Sequence, residues 1–350
     1  METIIEKIDP VHPDSAIIGQ AGEILRRGGL VAFPTETVYG LGGDALNPDA
    51  SKKIYGAKGR PSDNPLIVHI ADRAALEGIV KEIPPKALAL AEKFWPGPLT
   101  MIFEKNGRVP FATTGGLDTV AVRMPDHAVA RELIRRSTGY IAAPSANVSG
   151  RPSPTKAAHV IEDLNGRVEM ILDGGPVGIG LESTIVDFSG QAPTILRPGY
   201  ITGEMMERVI GPVCLDRGLI AEDSAVRPKA PGMKYRHYAP KAELTVVEGE
   251  ESRVVKTVNG WLQEKEAAGL RCGVIATDET AGLYRAGTVV SMGSREDEES
   301  IARHLFDVLR RFDSLDVACI YSESFHTPRM GQAIMNRLLK AAGHKVVRVE

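Results

Sequence analysis

Residues 30–42 read LVAFPTETVYGLG. The first four, Leu30–Phe33, have the length and bulk of a short buried strand, and Pro34 ends the apolar run before a polar turn of Thr35, Glu36 and Thr37. A helix should lead into that strand, because Ser15–Arg27 repeats apolar residues at helical spacing and stops at Gly28-Gly29. Downstream, Asp49–Gly56 predicts a short helix, Leu66–Ile70 (LIVHI) a strand, and Pro85–Phe94 a helix halted before Pro96-Gly97-Pro98. Leu99–Glu104, Val120–Arg123 and Ile141–Ala143 predict further strands, with a helix over Ala128–Ser137 and another over Thr155–Leu164. Val168–Asp173, Ser183–Asp187 and Thr194–Arg197 complete the set. Short strands alternating with helices to about Ile210 indicate an α/β domain.

The chain of 350 residues is long for one core, so two domains are expected. Residues 213–240 are polar, carry Pro228, Pro231 and Gly232, and show no periodicity, which predicts a linker. A linker this long is usually functional or disordered, and PGMKYRHYAP at 231–240 packs aromatic, basic and imidazole groups into it. From Leu244 strands at 244–247, 272–276, 288–291, 317–321 and 346–349 alternate with helices at 251–268, 296–311 and 330–342. That pattern predicts a smaller α/β domain with a mainly parallel sheet, and it holds neither GxGxxG nor GxxxxGK[ST]. The expected division is 1–212, a linker at 213–240, and 241–350.

Hydrophobic residues make up 43% of the chain and charged residues 25%, with a formal net charge of -3. Residues 1–240 hold 27 Lys and Arg against 28 Asp and Glu, and residues 241–350 hold 15 against 17, so neither part is a basic module. Cys214, Cys272 and Cys319 are odd in number and far apart in sequence, which speaks against a disulfide framework and predicts buried, reduced thiols. The opening METIIEKIDP has no apolar stretch behind a basic flank, and no apolar run reaches the roughly 20 residues that span a bilayer, so a cytoplasmic protein without membrane contact is expected.

Four segments carry groups suited to chemistry. Hydroxyls in the turn after Phe33 can grip a small polar ligand, or simply cap a turn. In YGAKGRPSDNPLIVHI, 55–70, Lys58 and Arg60 stand beside Gly59, Ser62 and Asn64, where two cations can hold phosphate oxygens or form a solvated turn. His69 ends an apolar run, a place where a satisfied core histidine is the commoner reading. AAPSANVSGRPSP, 142–154, offers hydroxyls, amides and backbone N–H groups to an anion or nucleotide, and the fourth segment pairs LESTIVD, 181–187, with ILRPGY, 195–200. No Ser-His-Asp order, HExxH or paired-carboxylate motif accompanies them, so the pattern suits a site that positions a phosphate-bearing ligand and a small polar substrate.

These motifs taken in order, PTETVYGLG at 34–42, KxR at Lys58–Arg60, SxN at Ser145–Asn147, STIVD at 183–187 and RPG at 197–199, resemble the YrdC/TsaC family over about residues 10–210. The linker motif and trailing domain are similar to the family's long, two-domain form; Ala230 before Pro231 departs from the Ser expected there. The resemblance implies a YrdC-like twisted mixed sheet around a large concave cavity, plus a C-terminal α/β domain, Rossmann-like with a mainly parallel sheet. It implies synthesis of L-threonylcarbamoyl-AMP from L-threonine, bicarbonate or CO2, and ATP with Mg2+, for threonylcarbamoyladenosine in tRNA. It sets Lys58, Arg60, Asn64, Thr119, Ser145, Asn147, Ser153 and Arg197 on ATP, with Lys58 and Arg60 as the catalytic pair and no metal held by protein side chains. It sets Thr35, His69, Arg123, Ser183 and the backbone of Ala143 on threonine, and Tyr235, His237 or Tyr238 over the ligand as part of a lid. A downstream threonylcarbamoyl-transferase machinery is the implied consumer. Contact with tRNA or double-stranded RNA is a further expected partnership. The alternatives are a double-stranded RNA-binding module without nucleotide turnover, and carbamoyl transfer through carbamoyl-adenylate, whose relatives carry zinc-finger and acylphosphatase-like segments that this chain lacks.

Overall fold

A computed structural model describes residues 1–216 and 237–350. The chain separates into two compact units: the first takes in residues 1–149, 153–178 and 182–216 of those described, the second 150–152, 179–181 and 237–350.

In the first unit the strands are β1 (Ile4–Lys7), β2 (Val31–Phe33), β3 (Gly40–Asp44), β4 (Ile67–His69), β5 (Leu99–Glu104), β6 (Thr119–Arg123), β7 (Ile141–Ala142), β8 (Met170–Asp173), β9 (Thr184–Asp187), β10 (Thr194–Arg197) and β11 (Cys214–Leu215). They form one mixed sheet in the order β1-β8-β2-β3-β7-β4-β6-β5-β9-β10-β11. Between them run α1 (Ser15–Arg26), α2 (Pro48–Lys58), α3 (Pro85–Phe94), α4 (Ala128–Arg136), α5 (Ala157–Leu164) and α6 (Gly203–Ile210). Local chemistry fixes several ends. Asp14 caps α1 by accepting from the N–H groups of Ala16 (2.8 Å) and Ile17 (3.1 Å). Asn47 caps α2, Pro48 opens it, and Gly59 closes it in the left-handed conformation at φ 63°.

Strand alternation distributes the core unevenly, and this creates the site. Val68, Met101, Val122 and Val186 point to one face, where the main core also takes in Ile54 of α2, Leu90 of α3, Val160 of α5 and Met206 of α6. On the opposite face α1 and α4 pack over Val31, Phe33, Ile141 and Met170. Over the neighbouring strands that second face has only a small apolar cluster, Ile67, Ile102, Ala121, Ile185 and Leu196. Next to it the register sets His69 of β4 beside Arg123 of β6, and Arg123 beside Thr100 of β5. Directly paired residues share a face, so three polar side chains stand in a row beside the part of that face that α1 and α4 cover.

In the second unit β12 (Glu243–Gly249), β13 (Cys272–Ala276), β14 (Thr288–Ser291), β15 (Cys319–Glu323) and β16 (Val346–Val349) form a sheet of order β14-β13-β15-β12-β16. All four pairings are parallel, as the strand-helix alternation predicts. The helices α7 (Glu251–Ala267), α8 (Glu298–Ser314) and α9 (Gly331–Ala341) connect them.

Several expectations need correction. Sequence reading omits β1, β3 and α6, and β11 lies where it predicts only linker. The strand expected at 317–321 is shifted to Cys319–Glu323. Of the three thiols only Cys272 is buried; Cys214 is exposed and Cys319 half-buried. Cys272 and Cys319 are far apart in sequence but paired across β13 and β15, with sulfurs 3.0 Å apart.

Candidate functional site

The turn after β2 is built by its own hydroxyls. Thr35 Oγ1 donates to the Val38 carbonyl at 2.7 Å and lies 2.9 Å from Thr37 Oγ1. Thr37 Oγ1 then accepts from Arg123 Nη1 at 2.9 Å. Glu36, between the two threonines, has Oε1 2.6 Å from Arg123 Nη2. The guanidinium is therefore gripped by the polar turn on one side while its strand holds it beside His69 and Thr100. His69 Nδ1 lies 3.1 Å from the Ile67 carbonyl, and the ring meets Phe33 edge-on at 6.3 Å. Burial, reinforced by the Arg123 charge, pushes the His69 imidazole down to about 3, so it is neutral at ordinary pH.

Thr100 links this group to the next. Its Oγ1 is 2.7 Å from Ser183 Oγ, and Arg197 donates to Ser183 through Nε to the carbonyl (3.0 Å) and Nη2 to the hydroxyl (3.2 Å). Thr35, His69, Arg123 and Ser183, expected around threonine, thus belong to one connected set. The Ala143 N–H is committed to the Ile67 carbonyl at 2.8 Å.

A second cluster forms where α2 ends. The Lys58 ammonium, on a side chain 2% exposed, donates to the carbonyls of Ser145 and Asn147, each at 2.5 Å. Ser145 Oγ donates to Asn147 Oδ1 at 2.5 Å. Arg60 curls back to the carbonyls of Asn64 (3.2 Å) and Pro65 (3.1 Å), and Asn64 Oδ1 is buried with no hydrogen-bond partner among the described residues. The Gly40–Ser145 bridge, with Leu41 N–H bonded to the Pro144 carbonyl at 2.9 Å, ties this cluster to the 34–42 motif. Ser153 Oγ donates to Glu182 Oε1 at 2.6 Å. Thr119, half-buried, opens β6 four residues before Arg123 and so shares its face.

Tyr235 lies outside the described residues. His237 and Tyr238 fall in the second unit, where the buried Tyr238 ring packs 5.0 Å from Phe306 and 5.5 Å from His237. Sequence reasoning gave no role to Glu36, Thr100 or Glu182, and Thr37 entered only among the hydroxyls of its turn. Thr100 was beyond reach, because a threonine inside an apolar strand reads as β-propensity and only the register reveals its neighbours. Glu36 carried a signal, a carboxylate between two threonines at a strand end.

Together these features define a class: an α/β protein whose mixed sheet leaves part of one face to a buried, cation-bearing polar site, joined to an all-parallel α/β unit. The sequence signature of the Sua5/YciO/YrdC group, described as Telomere recombination, matches residues 23–199. One described as Threonylcarbamoyl-AMP synthase, C-terminal domain matches 201–343. A Bacillus subtilis threonylcarbamoyl-AMP synthase is 52% identical over 98% of both chains. One from Pyrococcus abyssi is 49% identical over 94% of this chain and 95% of its own. The crystal structure of P. abyssi Sua5 complexed with L-threonine superposes at a TM-score of 0.94 with 47% identity, covering 99% of this chain and all of that one. The chain belongs to the Sua5/YciO/YrdC family, in its long, two-domain form.

Proposed function

We propose that this chain joins L-threonine, bicarbonate and ATP into L-threonylcarbamoyl-AMP, releasing pyrophosphate, and so supplies the activated group for threonylcarbamoyladenosine in tRNA. The observation that carries this reading is the near-complete match in length and identity to a threonylcarbamoyl-AMP synthase. The geometry supports it with two tied clusters of suitable chemistry, one around Lys58 and Arg60 and one around Arg123.

The threonine amine would attack CO2 derived from bicarbonate, forming an N–C bond and losing a proton to give N-carboxy-threonine. A carbamate oxygen then attacks the α-phosphorus of ATP, and the bond to the pyrophosphate oxygen breaks. The carbamate is short-lived and both partners of the second step are anions. A buried site with fixed cations addresses both difficulties by excluding water, screening repulsion and holding the reacting atoms together. In this reading Lys58 and Arg60 oppose the charge gathering on the departing pyrophosphate. Asn64, Thr119, Ser145, Asn147, Ser153 and Arg197 position the nucleotide. Arg123 pairs with the threonine carboxylate, with Thr35, His69, Ser183 and the Ala143 backbone around the rest. Neutral His69 suits a hydrogen-bonding role beside a cation. In this reading Mg2+ enters as the ion that ATP carries. The segment 213–240 is read as linker and lid, with Tyr235, His237 or Tyr238 over the ligand.

Cytoplasmic location, tRNA contact and a downstream transferase accompany this reading; no described helix is long and apolar enough to cross a membrane. Formation of adenylate carrying label from 13C-bicarbonate tests the activity. In that assay Lys58→Ala and Arg60→Ala should each lower turnover at least tenfold, about 1.4 kcal/mol of transition-state stabilisation. Unlabelled adenylate, or normal turnover in both variants, would count against it.

A further inference from the structure

Buried polar atoms without a partner are rare in folded chains, and each needs a physical reason. Three of them belong to one charge pair in the first unit. Arg123 Nη2 and Glu36 Oε1 lie 2.6 Å apart. Yet neither that nitrogen nor either Glu36 oxygen makes an aligned hydrogen bond among the described residues, and all three are shut off from solvent. The Arg123 side chain is 5% exposed and that of Glu36 13%. The remaining guanidinium nitrogens are occupied, Nη1 by Thr37 Oγ1 at 2.9 Å and Nε by the Gly97 carbonyl at 3.4 Å. A pair serving only as scaffold would align its hydrogen bonds, because a desolvated carboxylate with unfilled lone pairs is costly. What remains is one donor and two acceptors of opposite charge, side by side and buried.

We infer that Glu36 accepts the α-ammonium group of the amino-acid substrate while Arg123 takes the carboxylate of the same molecule. This rests on the amino-acid half of the reading above. An amino acid carries its two charges on groups bonded to a single carbon, so an acid and a base in direct contact match its head without further rearrangement. Among the described residues His127 also feels the Glu36 charge, and burial pushes its imidazole towards the neutral form, so it does not compete as a cation for the carboxylate. Glu36 would then select for the amino group, which becomes the nucleophile of the first step once the ammonium has lost a proton, and not merely for a hydroxy acid of the right shape.

The test compares binding of L-threonine with binding of 3-hydroxybutyrate, which keeps the carboxylate, hydroxyl and methyl groups but lacks the amine. Calorimetry on the full chain should show L-threonine preferred at least tenfold. Glu36→Gln should weaken threonine at least tenfold while changing 3-hydroxybutyrate less than threefold, and Glu36→Asp should keep part of the preference. An unchanged preference in Glu36→Gln would overturn the inference, as would equal weakening of both ligands, which would make Glu36 only a support for Arg123. If Glu36→Gln fails to fold, Glu36→Asp decides, since its shorter reach must reduce the preference. A wild-type chain that does not bind threonine removes the amino-acid reading itself; one that binds it while the variants keep its preference removes only the role of Glu36.

Discussion

His69 shows how the surroundings of a single residue can be turned into a measurement. In the unfolded chain its imidazole titrates near 6.5, and in the folded chain burial and then Arg123 hold it down at about 3. Above pH 6.5 it is neutral in both states and adds no pH dependence. Below 6.5 the unfolded chain takes up a proton that the folded chain refuses, so stability falls with pH down to about 3. Between pH 6.5 and 5 the loss from this one group is about 1.6 kcal/mol. Urea unfolding at these two pH values should show the wild type losing about that much more than His69→Gln, and equal losses would contradict the assignment. The setting of His69 was only half legible in sequence. An imidazole closing an apolar run reads correctly as buried, but Arg123 lies far along the chain, and only the pairing of β4 with β6 makes them neighbours. Lys58 and Arg60 were easier to single out as candidates, because both cations flank the glycine that closes α2.

Among the elements, α1 and α4 cover one half of the sheet's second face and thereby set where the polar site begins. Their contact depends on Gly22, where a Cβ would stand 2.5 Å from the Arg136 carbonyl oxygen. Gly22→Ala should push the helices apart and cost about 1–3 kcal/mol. Gly19 lies on the same helix, with nothing within 4 Å of its would-be Cβ, so Gly19→Ala should stabilise by about 0.5–1 kcal/mol. Thermal melts of the two variants should move in opposite directions, and a shift of the same sign in both would refute this packing. Strongly periodic elements such as α3 and β5 end where their sequence says they do. By contrast β3, GLGGD, reads as a loop because three of its five residues are glycine. The glycines answer to tertiary packing: a Cβ at Gly42 would stand 2.8 Å from the side chains of Ile141 and Phe33. Local sequence does not carry that reason.

For the whole molecule, the alternation of strands and helices foretold an α/β chain with a parallel sheet in its later part, and composition gave no support to a basic nucleic-acid module. The order of the eleven strands in the first sheet was not legible, since it depends on pairings between distant segments such as β5 with β9. Nor was the division of its second face between helices and a polar row. The family resemblance supplied what periodicity could not, because its motifs are scattered over strand ends that the sheet alone brings together. Pyrophosphate release from ATP by the purified chain, with threonine and bicarbonate omitted in turn, tests the central claim most directly. Release that requires both is the predicted result. Release with neither, or none under any condition, would contradict it and return the chain to the RNA-binding alternative.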